Sequence, residues 1–141
     1  MNLFLDTSVV LAACGSSAGA SRAVFDRAID QGWNLLTSDY VLSEVAVNLP
    51  ALPSDAAAQW IRLRAELAKV PDVLTFEWAT VFAPAKDRPI LFTAAAWADV
   101  LLTLDRHDFG KLLGGTFYGL GILKPGDFLK RERAGGRMRI F

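Results

Sequence analysis

The stretch Asn2-Leu-Phe-Leu-Asp6-Thr7-Ser8-Val-Val-Leu11 limits the fold more than any other part of the chain. Its apolar run stops at Asp6, two hydroxyl residues follow at once, and the sequence then turns apolar again. That is the pattern of a buried strand that delivers one carboxylate at its carboxyl end and passes directly into a helix. The pattern recurs: Leu35-Leu36 runs into Thr37-Ser38-Asp39, and Leu101-Leu102-Thr103-Leu104 runs into Asp105. Parallel strands finish at a common edge, and ligands of open parallel sheets bind beyond it. The three ends together predict one edge crowded with acids and hydroxyls.

The rest of the chain reads as helices and further short strands. After the strand Leu3–Asp6, a helix begins near Thr7 and is interrupted by Gly15-Ser16-Ser17. Ser21–Gln31 has Val24, Phe25, Ala28 and Ile29 on one face, with Gly32 placed as a C-cap. A strand over Trp33–Thr37 leads to a helix capped by Ser38 or Asp39, with Val41, Leu42, Val45 and Leu49 on one face, ended by Pro50 and Pro53. Ser54 opens another helix, with Trp60, Leu63, Leu67 and Val70 at helical spacing, and Pro71 stops it. A short strand over Val73–Phe76 and a short helix over Glu77–Phe82 follow. Pro89 sits in the first turn of a helix running through Ile90–Ala98. Asp99–Leu104 is the best-defined strand, a glycine-rich connection spans 110–121, Leu120–Leu123 is the last strand, and Pro125 opens a final helix. Short strands alternating with helices give an α/β domain with a mainly parallel sheet.

Composition removes several classes of function. At 141 residues, 52% apolar and 21% charged, the chain suits one folded domain with a core rather than a disordered segment. Cys14 and His107 are the single cysteine and histidine, so neither an internal disulfide nor a His/Cys zinc cage can be built from one chain. The first residues lack the basic-then-apolar layout of a secretory leader, and no apolar stretch approaches the ~20 residues of a membrane span; a soluble cytoplasmic protein is expected. Net charge is zero but uneven. Residues 1–123 carry nine basic and thirteen acidic side chains, a net of −4, and residues 124–141 carry six and two, a net of +4. An acidic body suggests carboxylates gathered for a cation; a solvated last helix explains the basic end.

Carboxylates crowded at one edge either share a proton or recruit a cation. Hard oxygen donors without sulfur or paired imidazoles select Mg²⁺ or Mn²⁺, a setting suited to phosphodiester hydrolysis. Each acid also has an ordinary explanation. Asp6, Asp39 and Asp87 each stand where an N-cap would, and for Asp39 the cap is favoured. Glu44, inside a helix, is either solvated or a ligand. Asp99 begins its strand at the opposite edge and is structural. Asp105 and Asp108 flank Arg106 and His107 in an expected loop. Cys14 reads as a core residue, and Trp33, Trp60, Trp78 and Trp97 as core or interface. No glycine-rich phosphate loop is present.

In order, Leu5-Asp6-Thr7-Ser8-Val9-Val10-Leu11, Ser43-Glu44-Val45, Lys86-Asp87-Arg88-Pro89-Ile90-Leu91, and Ala98-Asp99-Val-Leu-Leu-Thr103-Leu-Asp105-Arg-His-Asp108-Phe109 resemble the four acidic blocks of PIN-domain proteins. Leu123-Lys-Pro125-Gly-Asp-Phe-Leu129 is similar to the closing strand-to-helix junction of that family. The resemblance spans residues 2 to about 130. It implies a PIN-like (Rossmann-like) three-layer α/β/α sandwich over residues 1–131, with 132–141 as a basic C-terminal tail. It also implies a Mg²⁺- or Mn²⁺-dependent endoribonuclease of the VapC toxin type, forming a homodimer and held by a small antitoxin. The implied ligands are Asp6, Glu44, Asp87 and Asp105, with Asp108 assisting. Thr7, Ser8 and Thr103 would position carboxylates or water, and Arg88, Arg106 and Lys111 are candidate RNA contacts. Two other classes compete. One is a non-catalytic PIN-like module binding RNA or protein. The other is a phosphoacceptor domain, disfavoured because Asp6 lacks an adjacent acid.

Overall fold

The computed structural model describes residues 1–75 and 85–136. The expected helix Glu77–Phe82, with Trp78, and the segment Arg137–Phe141 lie outside the described residues, as does Phe76.

Among the described residues the α-helices and strands follow in chain order: β1 (Asn2–Leu5), α1 (Thr7–Gly15), α2 (Ala20–Gln31), β2 (Asn34–Thr37), α3 (Asp39–Asn48), α4 (Ala56–Arg64), β3 (Ala68–Lys69), α5 (Arg88–Trp97), β4 (Val100–Leu102), α6 (Arg106–Phe109), β5 (Thr116–Phe117), β6 (Leu120–Leu123) and α7 (Pro125–Ala134). Leu49–Ala51 and Ala85–Asp87 form 3₁₀ turns.

The strands make one six-stranded sheet in the order β3-β2-β1-β4-β6-β5. All neighbouring pairs are parallel except β5 with β6. Leu3, Phe4 and Leu5 of β1 and Leu101 and Leu102 of β4 are fully buried. Burial on both faces explains why these strands read as unbroken apolar runs, and it is compatible with helices covering the sheet in a three-layer α/β/α arrangement. The chain moves outward from β1 through β2 to β3, then returns to place β4 on the other side of β1. The order therefore reverses between β1 and β4, which is where open α/β sheets leave a crevice at their carboxyl edge. Leu5 pairs with Leu102, so Asp6 and Thr103 emerge side by side at that point.

Several elements differ from the sequence-based expectation. The helix opened by Ser54 stops at Arg64, and Ala68–Lys69 pairs beside β2 as an edge strand. Leu67 is buried, but between two elements rather than along a helix. No regular structure forms over 73–75. Ile29 is 83% exposed, while Ser21 and Arg22 are buried on α2 instead. Arg22 is satisfied there: its Nε donates to the Ala13 carbonyl at 3.0 Å and its Nη2 to Gln59 Oε1 at 3.0 Å. The segment after Asp105 is a short helix, not a loop. A Cβ on Gly110 would run into the Arg106 carbonyl, so glycine is what lets α6 close. Tyr118 and Gly119 form the two-residue turn between β5 and β6, both at positive φ (48° and 85°), as a tight hairpin of this kind requires.

α7 runs to Ala134, beyond the Arg131 boundary drawn from the sequence, and Glu132 within it is buried. Phe128 on α7 meets the edge of Trp33 at 5.0 Å, tying this helix to the start of β2. Among the described residues no single helix is long and apolar enough to cross a membrane.

Candidate metal centre

The switch point between β1 and β4 gathers the acids. Asp6 stands at the N-cap position of α1, but its carboxylate makes no cap bond. Its Oδ2 instead accepts from Ser8 Oγ and from Thr103 Oγ1, each at 2.7 Å. Both hydroxyls are themselves held. Ser8 Oγ accepts from the Leu104 amide at 3.0 Å, and Thr103 Oγ1 from the Asp105 amide at 3.0 Å. The turn after β4 is thereby tied to the start of α1 through one carboxylate oxygen. Burial raises the pKa of Asp6; the Thr103, Ser8 and Thr7 hydrogen bonds oppose that, and the Asp105 charge adds to it.

Glu44 comes from α3, one strand over. Its Oε1 accepts from Thr7 Oγ1 at 2.7 Å. Burial and the charge of Asp6 raise its pKa, while the Thr7 hydrogen bond lowers it. Thr7 and Ser8, adjacent at the head of α1, thus hold two different carboxylates.

Asp87, Asp105 and Asp108 lie closest together. Each offers a carboxylate oxygen within 4.8 Å of those of the other two. Asp105 caps α6, its Oδ1 accepting from the Asp108 amide at 2.9 Å. Asp87 ends the 3₁₀ turn ahead of α5, yet makes no side-chain cap bond, so the capping explanation does not account for it. It is buried, and its Oδ2 has no hydrogen-bond partner among the described residues. A buried oxygen left unmatched beside two other carboxylates is costly unless it is protonated or meets a cation. Its pKa is pushed up to about 8, first by burial, then by a hydrogen bond with Asp108 and by the charges of Asp6 and Asp108. Asp108 moves the other way, because it accepts that hydrogen bond and lies beside Lys86. The two shifts run in opposite directions, as expected of two carboxyls joined by one hydrogen bond.

Lys86 and Tyr40 are part of this neighbourhood and were not among the site residues read from the sequence. Lys86 Nζ lies 3.4 Å from Asp108 Oδ2, and its carbonyl accepts from the Tyr40 hydroxyl. Burial raises the Tyr40 pKa, as do the charges of Glu44, Asp87 and Asp6. The available signal was the i, i+4 spacing of Tyr40 and Glu44 on one face of α3.

Other candidates fall outside the cluster. Asp39 pairs with Lys69 at 3.1 Å, and Ser38 rather than Asp39 caps α3. Asp99 accepts from the Asn2 amide at 2.7 Å at the opposite edge. His107 is the exception: its Nε2 lies 4.0 Å from Asp108 Oδ1, with the side chain 98% exposed. Arg88, Arg106 and Lys111 are all exposed. Cys14 and Trp33 are core residues, whereas Trp97 is half exposed and donates to the Pro71 carbonyl at 3.1 Å.

The donor set fits a hard divalent cation. It is all oxygen, three of its acids converge, and one buried oxygen lacks a partner among the described residues. No protein-family model matches the chain, and no curated protein matches it.

Proposed function

We propose that the chain is a Mg²⁺- or Mn²⁺-dependent endoribonuclease with a PIN-like three-layer fold. The observation that carries this reading is the buried Oδ2 of Asp87, without a hydrogen-bond partner among the described residues, beside Asp105 and Asp108 at the carboxyl edge where the strand order reverses between β1 and β4. The order and spacing of the acidic blocks support the same reading. Asp87, Asp105 and Asp108 are the residues to hold the ion, with Asp6 and Glu44 completing the acidic wall. A divalent ion bound there supplies charge neutralisation for the phosphate and makes a water easier to deprotonate.

The chain's own residues do the rest. Ser8 and Thr103 fix one Asp6 oxygen, so its orientation is set before any ligand arrives. Thr7 orients Glu44, whose raised pKa suits it to take the proton of the attacking water at a carboxylate oxygen. Phosphorus–oxygen cleavage then leaves a 5′- or 3′-phosphate end and a hydroxyl that takes up a proton. Arg88, Arg106 and Lys111 are exposed, which supports their reading as RNA contacts.

The wider assignment follows from the resemblance: a cytoplasmic toxin of a toxin–antitoxin pair, homodimeric and held by a small antitoxin. The test is cleavage of RNA by the purified protein with Mn²⁺, with metal removed, and as Asp6→Asn. Cleavage requires both metal and Asp6 in this account. Activity that survives either loss contradicts it, and an RNA bound but never cut favours the non-catalytic module.

A further inference from the structure

The pocket already contains one positive charge from the chain itself. Lys86 Nζ lies 3.4 Å from Asp108 Oδ2, and the two partners are unlike: the lysine side chain is 73% exposed and the aspartate 9%. A well-hydrated ammonium is therefore reaching down to a nearly closed carboxylate, drawn also by the charges of Asp87 and Asp105. In the same cluster, Asp87 Oδ2 is buried and has no hydrogen-bond partner among the described residues. Lys86 is paired with Asp108 and feels the charge of Asp87 without bonding to it.

We propose that Lys86 is the resident counter-cation of this pocket, competing with a divalent ion for Asp108 and leaving that carboxylate when the ion binds. The inference rests on the metal site argued above. An ion drawing oxygens from Asp87, Asp105 and Asp108 would stand within a few ångströms of the ammonium, where like charges repel strongly. Lysine suits such a device. Its charge is a single point on a flexible stem, released more readily than the two-pronged grip of arginine on a carboxylate. The Lys86 carbonyl accepts from the Tyr40 hydroxyl on α3, a contact that a swing of the side chain leaves in place. Only the side chain has to move. Lys86 then sets how much divalent ion is needed before the site fills.

The experiment is calorimetric titration of MnCl₂ into the full chain as wild type, Lys86→Gln, Lys86→Arg and Lys130→Gln. Lys130 is an exposed lysine on α7 and serves as the charge control. Circular dichroism establishes that each variant is folded. Lys86→Gln is expected to bind Mn²⁺ about two- to five-fold more tightly, as befits the loss of one exposed ion pair. Lys86→Arg should bind no more tightly than wild type, and Lys130→Gln should match it. Equal or weaker binding by Lys86→Gln overturns the inference while leaving the metal site standing, as does an equal gain in Lys130→Gln. Absence of Mn²⁺ binding in both wild type and Lys86→Gln removes the metal site and this inference together.

Discussion

Asp87 is the residue in which the site's electrostatics concentrate. Its carboxyl is buried, hydrogen-bonded to Asp108 and pushed up to about 8 from an ordinary 3.8. A group whose folded pKa lies above its unfolded value binds more protons in the folded state between those two limits. Its contribution to stability is therefore full below about pH 4 and is lost as pH rises toward 8. The metal-free protein should accordingly lose stability across that interval. Asp87→Asn carries no such charge and should flatten the profile, gaining about 1–3 kcal/mol over wild type at pH 8. Denaturant melts at pH 5 and pH 8, with chelator present, check this. A variant less stable than wild type at both values would mean that Asp87 is held for structure. The sequence could raise the cap explanation for Asp87 but not decide it, because a cap and a ligand occupy the same position ahead of Pro89. Only the missing cap bond and the unmatched oxygen separate the two.

At the scale of elements, the junction of β1, α1 and β4 is held by hydroxyls. Thr103 donates to Asp6 and accepts from the Asp105 amide, so one side chain links the ends of two adjacent strands. Thr103→Val keeps the shape and removes both bonds. It leaves a buried carboxylate with one partner fewer and should cost about 1–3 kcal/mol. It should also raise the Asp6 pKa further, so that Mn²⁺ binding weakens most at low pH; denaturant melts and Mn²⁺ titrations at two pH values measure both effects. An unchanged melt would show that Ser8 alone suffices to hold Asp6. The strands at this junction were legible because burial on both faces writes itself as an unbroken apolar run ending in a polar residue. β3 was not. Its two residues are exposed, and it exists only by pairing with β2, while Leu63, Leu67 and Val70 keep a helical spacing that the chain abandons after Arg64. α6 was missed because four residues are too few to show a helical period.

For the whole molecule, the strand order accounts for where the acids meet. Reversal of the strand order between β1 and β4 puts Asp6 and Asp105 at one crevice, and α3 and the turn ahead of α5 bring Glu44 and Asp87 to it. The common edge could be foreseen from three strand ends. The closest grouping could not: it is Asp87, Asp105 and Asp108, with Asp6 and Glu44 tied to hydroxyls beside it. Lys86 was equally hidden, since its role depends on a contact with α6 that no sequence spacing announces.

The most direct measurement is anomalous diffraction from a crystal soaked in Mn²⁺. The account predicts a peak coordinated by carboxylate oxygens of Asp87, Asp105 and Asp108, absent when Asp87 is replaced by Asn. A folded, fully soaked wild-type crystal with no peak there, or with the ion bound only elsewhere on the surface, would contradict it.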